Sequence, residues 1–401
     1  MNKVIVDKDL IEEFLNRGVD TIFPSKDELR KKLYSGERIR AYQGYDPTGP
    51  YLHVGHAMGI RGLSILQKLG HEVIFLVGDF TAKVGDPDKD VARKMLTDDQ
   101  IAQNMEGWKQ QAAQLIDFEG DNPVQFKHNF EWLSKLGLAD LIKLMSNVTV
   151  QQMLERELFE KRLNKKDPIG LQEFIYPVMQ GYDSVAMGVD LEIGGTDQTF
   201  NMLVGRTLVK NYLGKDKFVR TNIMMDAPDG VTMSKTKGNG LNLSDTAENM
   251  YGKAMSYSDA LITKAMRLLT NIPLTQIDEI EKQMARGENP MTFKKLMAFE
   301  VVKMIKGNDA AAKGQQYFEK TVQNKEIDAE SIADIEISGT QTLQNLVKAC
   351  NPGDSSSQIK RNIEQGGVEL NGEKITNPLQ EIKVKSGDVI KYGKRKFYKV
   401  K

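Results

Sequence analysis

The chain has 401 residues, 40% of them hydrophobic and 27% charged, which excludes collagen-like and disordered classes and leaves room for two or three domains around a sizeable buried pocket. Basic and acidic residues balance at 55 each, but residues 340–401 hold 12 Lys/Arg against 6 Asp/Glu, a net +6, so residues 1–339 carry −6. That end is suited to a polyanion. The single cysteine, Cys350, excludes an intramolecular disulfide framework, a Cys-based zinc cluster and a CxxC redox pair, and it fits a reducing cytoplasm.

The first residues, MNKVIVDKDLIEEFLNRG, alternate charge with apolar residues at helical spacing and lack the apolar core of a secretory signal, so they read as a first helix. A second helix begins at Ser25, three residues ahead of Glu28, the spacing that satisfies free amides at a helix start. Residues 38–45 then read as a strand, 54–68 as a helix and 72–77 as a buried strand. This β-α-β unit forecasts a doubly wound, Rossmann-like α/β fold with a parallel sheet, whose ligands sit beyond the carboxyl ends of the strands. The most apolar stretch, 73–77, is far short of the ~20 residues a bilayer helix requires, so no membrane partner is expected.

Residues 97–159 are mostly helical with a short strand near 124–127, followed by a helix around 171–182 and a strand around 191–193. The alternation ends near Met225. A Gly- and Lys-rich loop, 229–240, leads into helical periodicity from 245 to 325, and a Gly-punctuated basic segment closes the chain. The expected domains are a Rossmann-like unit with a helical insertion over 1–228, an α-helical domain over 229–335 and a small α+β module over 340–401.

Two segments carry phosphate chemistry. The first, DPTGPYLHVGH over residues 46–56, is a turn that opens a helix. His53 and His56 lie one helical turn apart, and Gly55 admits a bulky ligand close to the backbone. With Asp46, Thr48 and the helix N-terminus they form a triphosphate cradle. The second, DGVTMSKTKGN over residues 229–239, places Met233, Ser234, Lys235 and Lys237 on a loop whose ammonium groups can close over charge developing between the α- and β-phosphates. In this order and about 180 residues apart, the two resemble the HIGH and KMSKS signatures of class I aminoacyl-tRNA synthetases. Thr232 departs from that pattern, standing where the first lysine belongs. A contact of that kind is worth roughly 10²- to 10³-fold in rate, and Lys237, Lys89, Arg93 or Lys94 are the available substitutes.

In FIYPVMQGYD, residues 174–183, Tyr176, Gln180 and Asp183 share one helical face, flanked by apolar Ile175, Met179, Val185 and Met187, so the polar stripe lines a pocket. Tyrosine differs from phenylalanine by one hydroxyl, and a site built to bond that hydroxyl rejects the analogue by about 10⁴- to 10⁵-fold. Asp183 and Tyr42, the latter four residues ahead of Asp46 on the strand, are the groups for it, with Asp86, Tyr176 and Gln180 around the ammonium group. After the strand at 191–193, Gly194 suits close backbone contact with a nucleotide, Asp197 a ribose hydroxyl and Gln198 the tyrosyl carboxylate or the adenylate.

Taken in order, YxGxDPT ahead of HVGH, then GDFTxxxGDP, YPxxQxYDS and GGTDQxFN resemble the bacterial-type tyrosyl-tRNA synthetases over nearly the whole chain. The resemblance implies ATP as its Mg²⁺ complex, no tightly bound cofactor or resident metal, tyrosine and tRNA(Tyr) as partners, a homodimer and a cytoplasmic enzyme. The last segment is similar to the alpha-L RNA-binding module, with Lys360, Arg361, Lys394, Arg395 and Lys396 toward phosphates and Val368, Leu370, Ile375, Val389 and Ile390 as a small core. Three alternatives stay open: a tryptophanyl-type activity, since that relative also carries an aspartate on the selecting helix; a small-molecule adenylate-forming nucleotidyltransferase; and a non-catalytic RNA-binding derivative, favoured only by Thr232.

Overall fold

A computed structural model describes residues 3–86, 95–228, 240–323, 332–337, 339–393 and 396–401. It divides into two compact units, Met1–Gln315 and Gln316–Lys401.

Among the described residues of the first unit, β1 (Val19–Phe23), β2 (Arg40–Tyr45), β3 (Glu72–Val77), β4 (Gln125–His128), β5 (Leu191–Gly195) and β6 (Phe218–Asn222) form one sheet in the order β1-β6-β5-β2-β3-β4. The five strands from β2 to β6 run parallel, and β1 lies antiparallel on the edge of β6. From β2 the chain winds outward through β3 and β4, then returns to the other side for β5 and β6. Its direction therefore switches between β2 and β5, where a crevice opens at the carboxyl ends.

β3, EVIFLV, is apolar at five consecutive buried positions because helices cover both faces of a parallel sheet. The expected bounds of the helix Val54–Lys68 coincide with the observed ones. Ser25 caps the helix Lys26–Tyr34 by accepting from the Glu28 amide. β1 lies between the two leading helices where no strand was expected; only Ile22 is buried in it, so it carries no alternating apolar signal. The helix anticipated from residue 171 is instead a 3₁₀ turn, Leu171–Phe174, followed by the helix Tyr176–Met187. Pro177 falls in the first turn of that helix, where its missing N–H removes no bond. Gly181 lets the helix Thr199–Leu213 come close: a Cβ there would stand 2.8 Å from Leu208 and 3.1 Å from the Gly205 amide nitrogen.

The helical segment after residue 245 shares a compact unit with the sheet up to Gln315. One buried and one partly buried arginine account for the joint. Arg17 donates to the carbonyls of Thr270 and Ile272 at 3.3 and 2.6 Å, and Arg61 donates to Thr270 at 2.9 Å. No helix among the described residues is long and apolar enough to cross a membrane.

In the second unit the helices Leu343–Cys350 and Ser356–Glu364 pack on a sheet formed by Glu373–Lys374, Val368–Leu370, Val389–Tyr392, Lys396–Val400 and Ile332–Ile335. Its core is built on Leu343, Leu346, Ile359, Ile363, Val368 and Ile390, with Leu370 and Ile375 packed against it. Asn371 and Gly372, both at positive φ, make the expected tight turn after Leu370. Burial pushes the Cys350 thiol up to about 11, so it is a packing group.

Candidate active site

β2 delivers residues 46–53 to the crevice, and His53 becomes the N-cap of the helix Val54–Lys68. The Gly55 amide donates to His53 Nδ1 at 3.2 Å, the His53 amide donates to His56 Nδ1 at 2.9 Å, and the two rings lie 3.8 Å apart. Since each Nδ1 accepts, each neutral ring carries its proton on Nε2 and is a donor there. The turn is held from both sides: the Thr48 amide donates to the Asp46 carbonyl at 2.8 Å, and Asn104 donates to the Pro47 carbonyl at 2.9 Å. Residues 241–243 are laced to this helix start, with the Val54 amide on the Leu241 carbonyl at 2.9 Å and the Leu243 amide on the Leu52 carbonyl at 2.7 Å. Thr232, Met233, Ser234, Lys235 and Lys237 lie outside the described residues, as do Lys89, Arg93 and Lys94.

The helix Tyr176–Met187 turns its polar stripe inward, with Tyr176 and Asp183 buried. The Asp183 carboxylate accepts from Trp132 Nε1 at 2.7 Å and from Asn129 Nδ2 at 3.2 Å. Burial pushes the Asp183 carboxyl well above the usual carboxylate range, opposed by those two N–H donors. Tyr42, fully buried on β2, has its hydroxyl 2.9 Å from Ser184 Oγ. Its phenol is likewise raised, by burial first and then by the Glu192 and Asp183 carboxylates. Trp132 packs against the apolar cluster that contains Tyr42 and against the one that contains Tyr176, and its indole N–H bonds the Asp183 carboxylate.

Asp46, expected on the nucleotide side, accepts from Tyr176 at 2.8 Å and from Thr81 at 2.8 Å, which couples the two halves of the site. Asp86 accepts from Arg156 at 2.8 Å and from Gln198 at 2.6 Å. Gln198 also donates to Asp197 at 2.9 Å, and burial raises the Asp197 carboxyl. Asn201 donates to the side-chain carbonyls of both Gln180 and Gln198 at 3.0 Å, and Gln180 donates to Glu192 at 3.0 Å. Gly194 has a packing reason of its own: a Cβ there would stand 2.8 Å from Met202 Sδ.

Sequence reasoning did not single out Thr81, Asn129, Trp132, Arg156, Ser184, Glu192, Asn201 or Lys217. Two had a signal. Asn129 follows β4 directly, as Asp46 follows β2, and Glu192 is a charge inside an otherwise apolar strand. In the second unit, Lys360 and Arg361 are exposed on the helix Ser356–Glu364, whose Ile359 and Ile363 face the core. Lys394 and Arg395 lie outside the described residues, and Lys396 opens the last strand.

The family model of class I tRNA synthetases (W and Y) matches residues 34–323, and that of the S4 domain matches residues 341–390. The chain is similar to the tyrosine–tRNA ligase of Thermotoga maritima, 40% identical over 94% of each chain, and to that of Haemophilus influenzae, 39% identical over 96% of each. Among solved structures it is similar in fold to a C-terminally truncated mitochondrial tyrosyl-tRNA synthetase of Aspergillus nidulans, with TM-score 0.65 and 22% identity, covering 77% of this chain and 93% of that one.

Proposed function

The chain belongs to the class I tRNA synthetases of the tryptophan and tyrosine type, and we propose that its amino acid is tyrosine, which it activates with ATP and transfers to the 3′ end of tRNA(Tyr). The observation that carries this reading is the buried pair of Tyr42 and Asp183, one phenol held by Ser184 and one carboxylate held by Trp132. A substrate phenol satisfies both, whereas phenylalanine leaves two buried polar groups unpaired. An indole N–H would satisfy Asp183 alone, which speaks against tryptophan.

The ammonium group of the amino acid needs acceptors. Tyr176 spends its proton on Asp46 and so offers its oxygen, Gln180 offers its side-chain carbonyl, and Asp86 offers a carboxylate already balanced by Arg156. With the ammonium fixed, the tyrosine carboxylate attacks the α-phosphate of ATP, which enters as its Mg²⁺ complex, and pyrophosphate leaves. A terminal ribose hydroxyl of the tRNA then attacks the carbonyl of the tyrosyl-adenylate, the anhydride bond breaks, and AMP leaves as the tyrosyl group passes to the tRNA. No protein nucleophile is required; catalysis is positioning and charge stabilisation. His53 and His56 present Nε2 donors to the phosphates beside Thr48, Gly55 and the helix N-terminus, while Gly194, Asp197 and Gln198 line the nucleoside side and Met233, Ser234 and Lys235 close over the pyrophosphate.

Lys360 and Arg361, with Lys394, Arg395 and Lys396, contact tRNA phosphates without reading bases. A second copy of the chain is the natural cover for the apolar residues exposed between 138 and 171, among them Leu138 at 75%, Ile142 at 61% and Leu171 at 83%. Sedimentation equilibrium is expected to give twice the chain mass. The enzyme works in the cytoplasm, where its three substrates meet.

Tyrosine-dependent exchange of pyrophosphate into ATP tests the reading. Exchange with tryptophan and not tyrosine would overturn the substrate, and RNA binding without any exchange would point to the non-catalytic derivative.

A further inference from the structure

Behind Tyr42 lies a buried polar chain that the reaction as described leaves unused. Lys217 and Glu192, both buried, form an ion pair immediately before and within neighbouring strands β6 and β5. The Lys217 ammonium also donates to Ser184 Oγ at 2.9 Å, and the same oxygen lies 2.9 Å from the Tyr42 hydroxyl and 3.3 Å from Glu192 Oε2. Glu192 Oε1 is occupied by Gln180 at 3.0 Å.

The single proton of Ser184 has two destinations, and they differ in what Tyr42 shows the substrate. If it goes to Glu192, Tyr42 must donate back to Ser184, and the substrate hydroxyl meets two acceptors, the Tyr42 oxygen and the Asp183 carboxylate, with one proton to share. If it goes to Tyr42, the shorter contact, Tyr42 donates forward. The substrate oxygen then accepts from Tyr42 while its own proton goes to Asp183, and every group is satisfied. A nitrogen that only donates stands at one end of the row, and a carboxylate that only accepts stands at the other.

We propose that Ser184, held by the buried Lys217–Glu192 pair, is a positioning residue that fixes the direction of the Tyr42 proton, so that a one-way donor row runs from Lys217 through Ser184 and Tyr42 to the substrate hydroxyl and Asp183. This rests on the reading of the site as one for tyrosine. It adds Ser184, Glu192 and Lys217 to the groups that decide tyrosine against phenylalanine.

A double-mutant cycle on the full-length enzyme tests it, with Ser184→Ala, Tyr42→Phe and both together, by pyrophosphate exchange with tyrosine and with phenylalanine. Ser184→Ala is expected to lower kcat/KM for tyrosine about 3- to 10-fold, the loss of one neutral hydrogen bond, and to leave phenylalanine within about twofold. In the Tyr42→Phe background the same change is expected to leave the tyrosine-to-phenylalanine ratio unmoved, because Ser184 acts only through that hydroxyl. Equal losses for both amino acids, no loss for either, or an undiminished effect of Ser184→Ala without the Tyr42 hydroxyl would overturn the proposal. Absence of tyrosine-dependent exchange in the unmodified enzyme would instead overturn the substrate reading on which it stands.

Discussion

Trp132→Phe removes one donor from Asp183 and keeps an aromatic ring against the apolar clusters that contain Tyr42 and Tyr176. The lost bond is short, 2.7 Å, and its acceptor is a buried carboxylate. A bond to a charged acceptor is worth about 1.5–3 kcal/mol, so kcat/KM for tyrosine should fall about 10- to 150-fold. The same energy acts on ionisation. Burial already holds the Asp183 carboxyl high, and the Trp132 N–H is the first influence opposing it. Without that donor the carboxyl rises further. The accepting form is the carboxylate, present above the pKa and lost as pH falls through it, so the acid limb of tyrosine activation should move to higher pH. Phenylalanine makes no use of the carboxylate and should change less than about threefold. Pyrophosphate exchange with each amino acid from pH 5.5 to 9 reads all three quantities. Equal losses for the two amino acids, or an acid limb that stays in place for tyrosine, would refute the reasoning.

Arg156→Ala leaves the buried Asp86 carboxylate without its cation, and urea unfolding should show a loss of about 3–5 kcal/mol. Saturating tyrosine should recover more stability in this variant than in the parent, since its ammonium takes the empty place. His71 is buried, and burial, then Arg38, holds its imidazole down to about 4. Below the ordinary 6.5 the unfolded chain takes a proton that the folded one refuses, so stability should fall between pH 6.5 and 4 by about 1.4 kcal/mol per unit, and His71→Gln should flatten that slope. Lys360→Ala with Arg361→Ala should lower the slope of log binding constant against log salt for tRNA by about 1.4–1.8, while tyrosine-dependent exchange stays unchanged.

Those residues mark where sequence reading succeeds and where it stops. β3 and the helix Val54–Lys68 were legible because burial on two faces leaves an unbroken apolar run and a capped turn leaves Pro, Gly and His at fixed spacing. The burial of Tyr42 and Asp183 was legible because one stands on the strand that leads to the phosphate motif and the other on a polar helical stripe with apolar flanks. β1 was not, since an edge strand with Asp20 and Thr21 exposed has no period of its own. Trp132 and Asn129 bond a carboxylate about fifty residues away, and Arg156 bonds one seventy residues away; no local period encodes such a pairing. The apolar flank of the 176–187 helix revealed that a pocket exists, but not which groups stand behind it.

The Lys217–Glu192 pair shows why the hidden groups are worth their cost in stability. Taking two charges out of water loses more than their attraction returns unless hydrogen bonds occupy the remaining sites, and replacing such a pair with neutral groups is commonly harmless to stability. Lys217→Met alone strands the Glu192 carboxylate and should cost about 3–5 kcal/mol. Adding Glu192→Gln removes that charge, keeps an acceptor for Gln180 and turns an amide N–H toward Ser184, so the double variant should return to within about 1 kcal/mol of the parent. Its preference for tyrosine over phenylalanine should nevertheless stay below the parent's, because a neutral donor holds the Ser184 and Tyr42 protons about half as strongly as an ammonium does. Recovery of stability with a reduced preference assigns the buried charge to selectivity. If stability fails to recover, the pair is a structural support after all, and the direction of the Tyr42 proton must be set elsewhere.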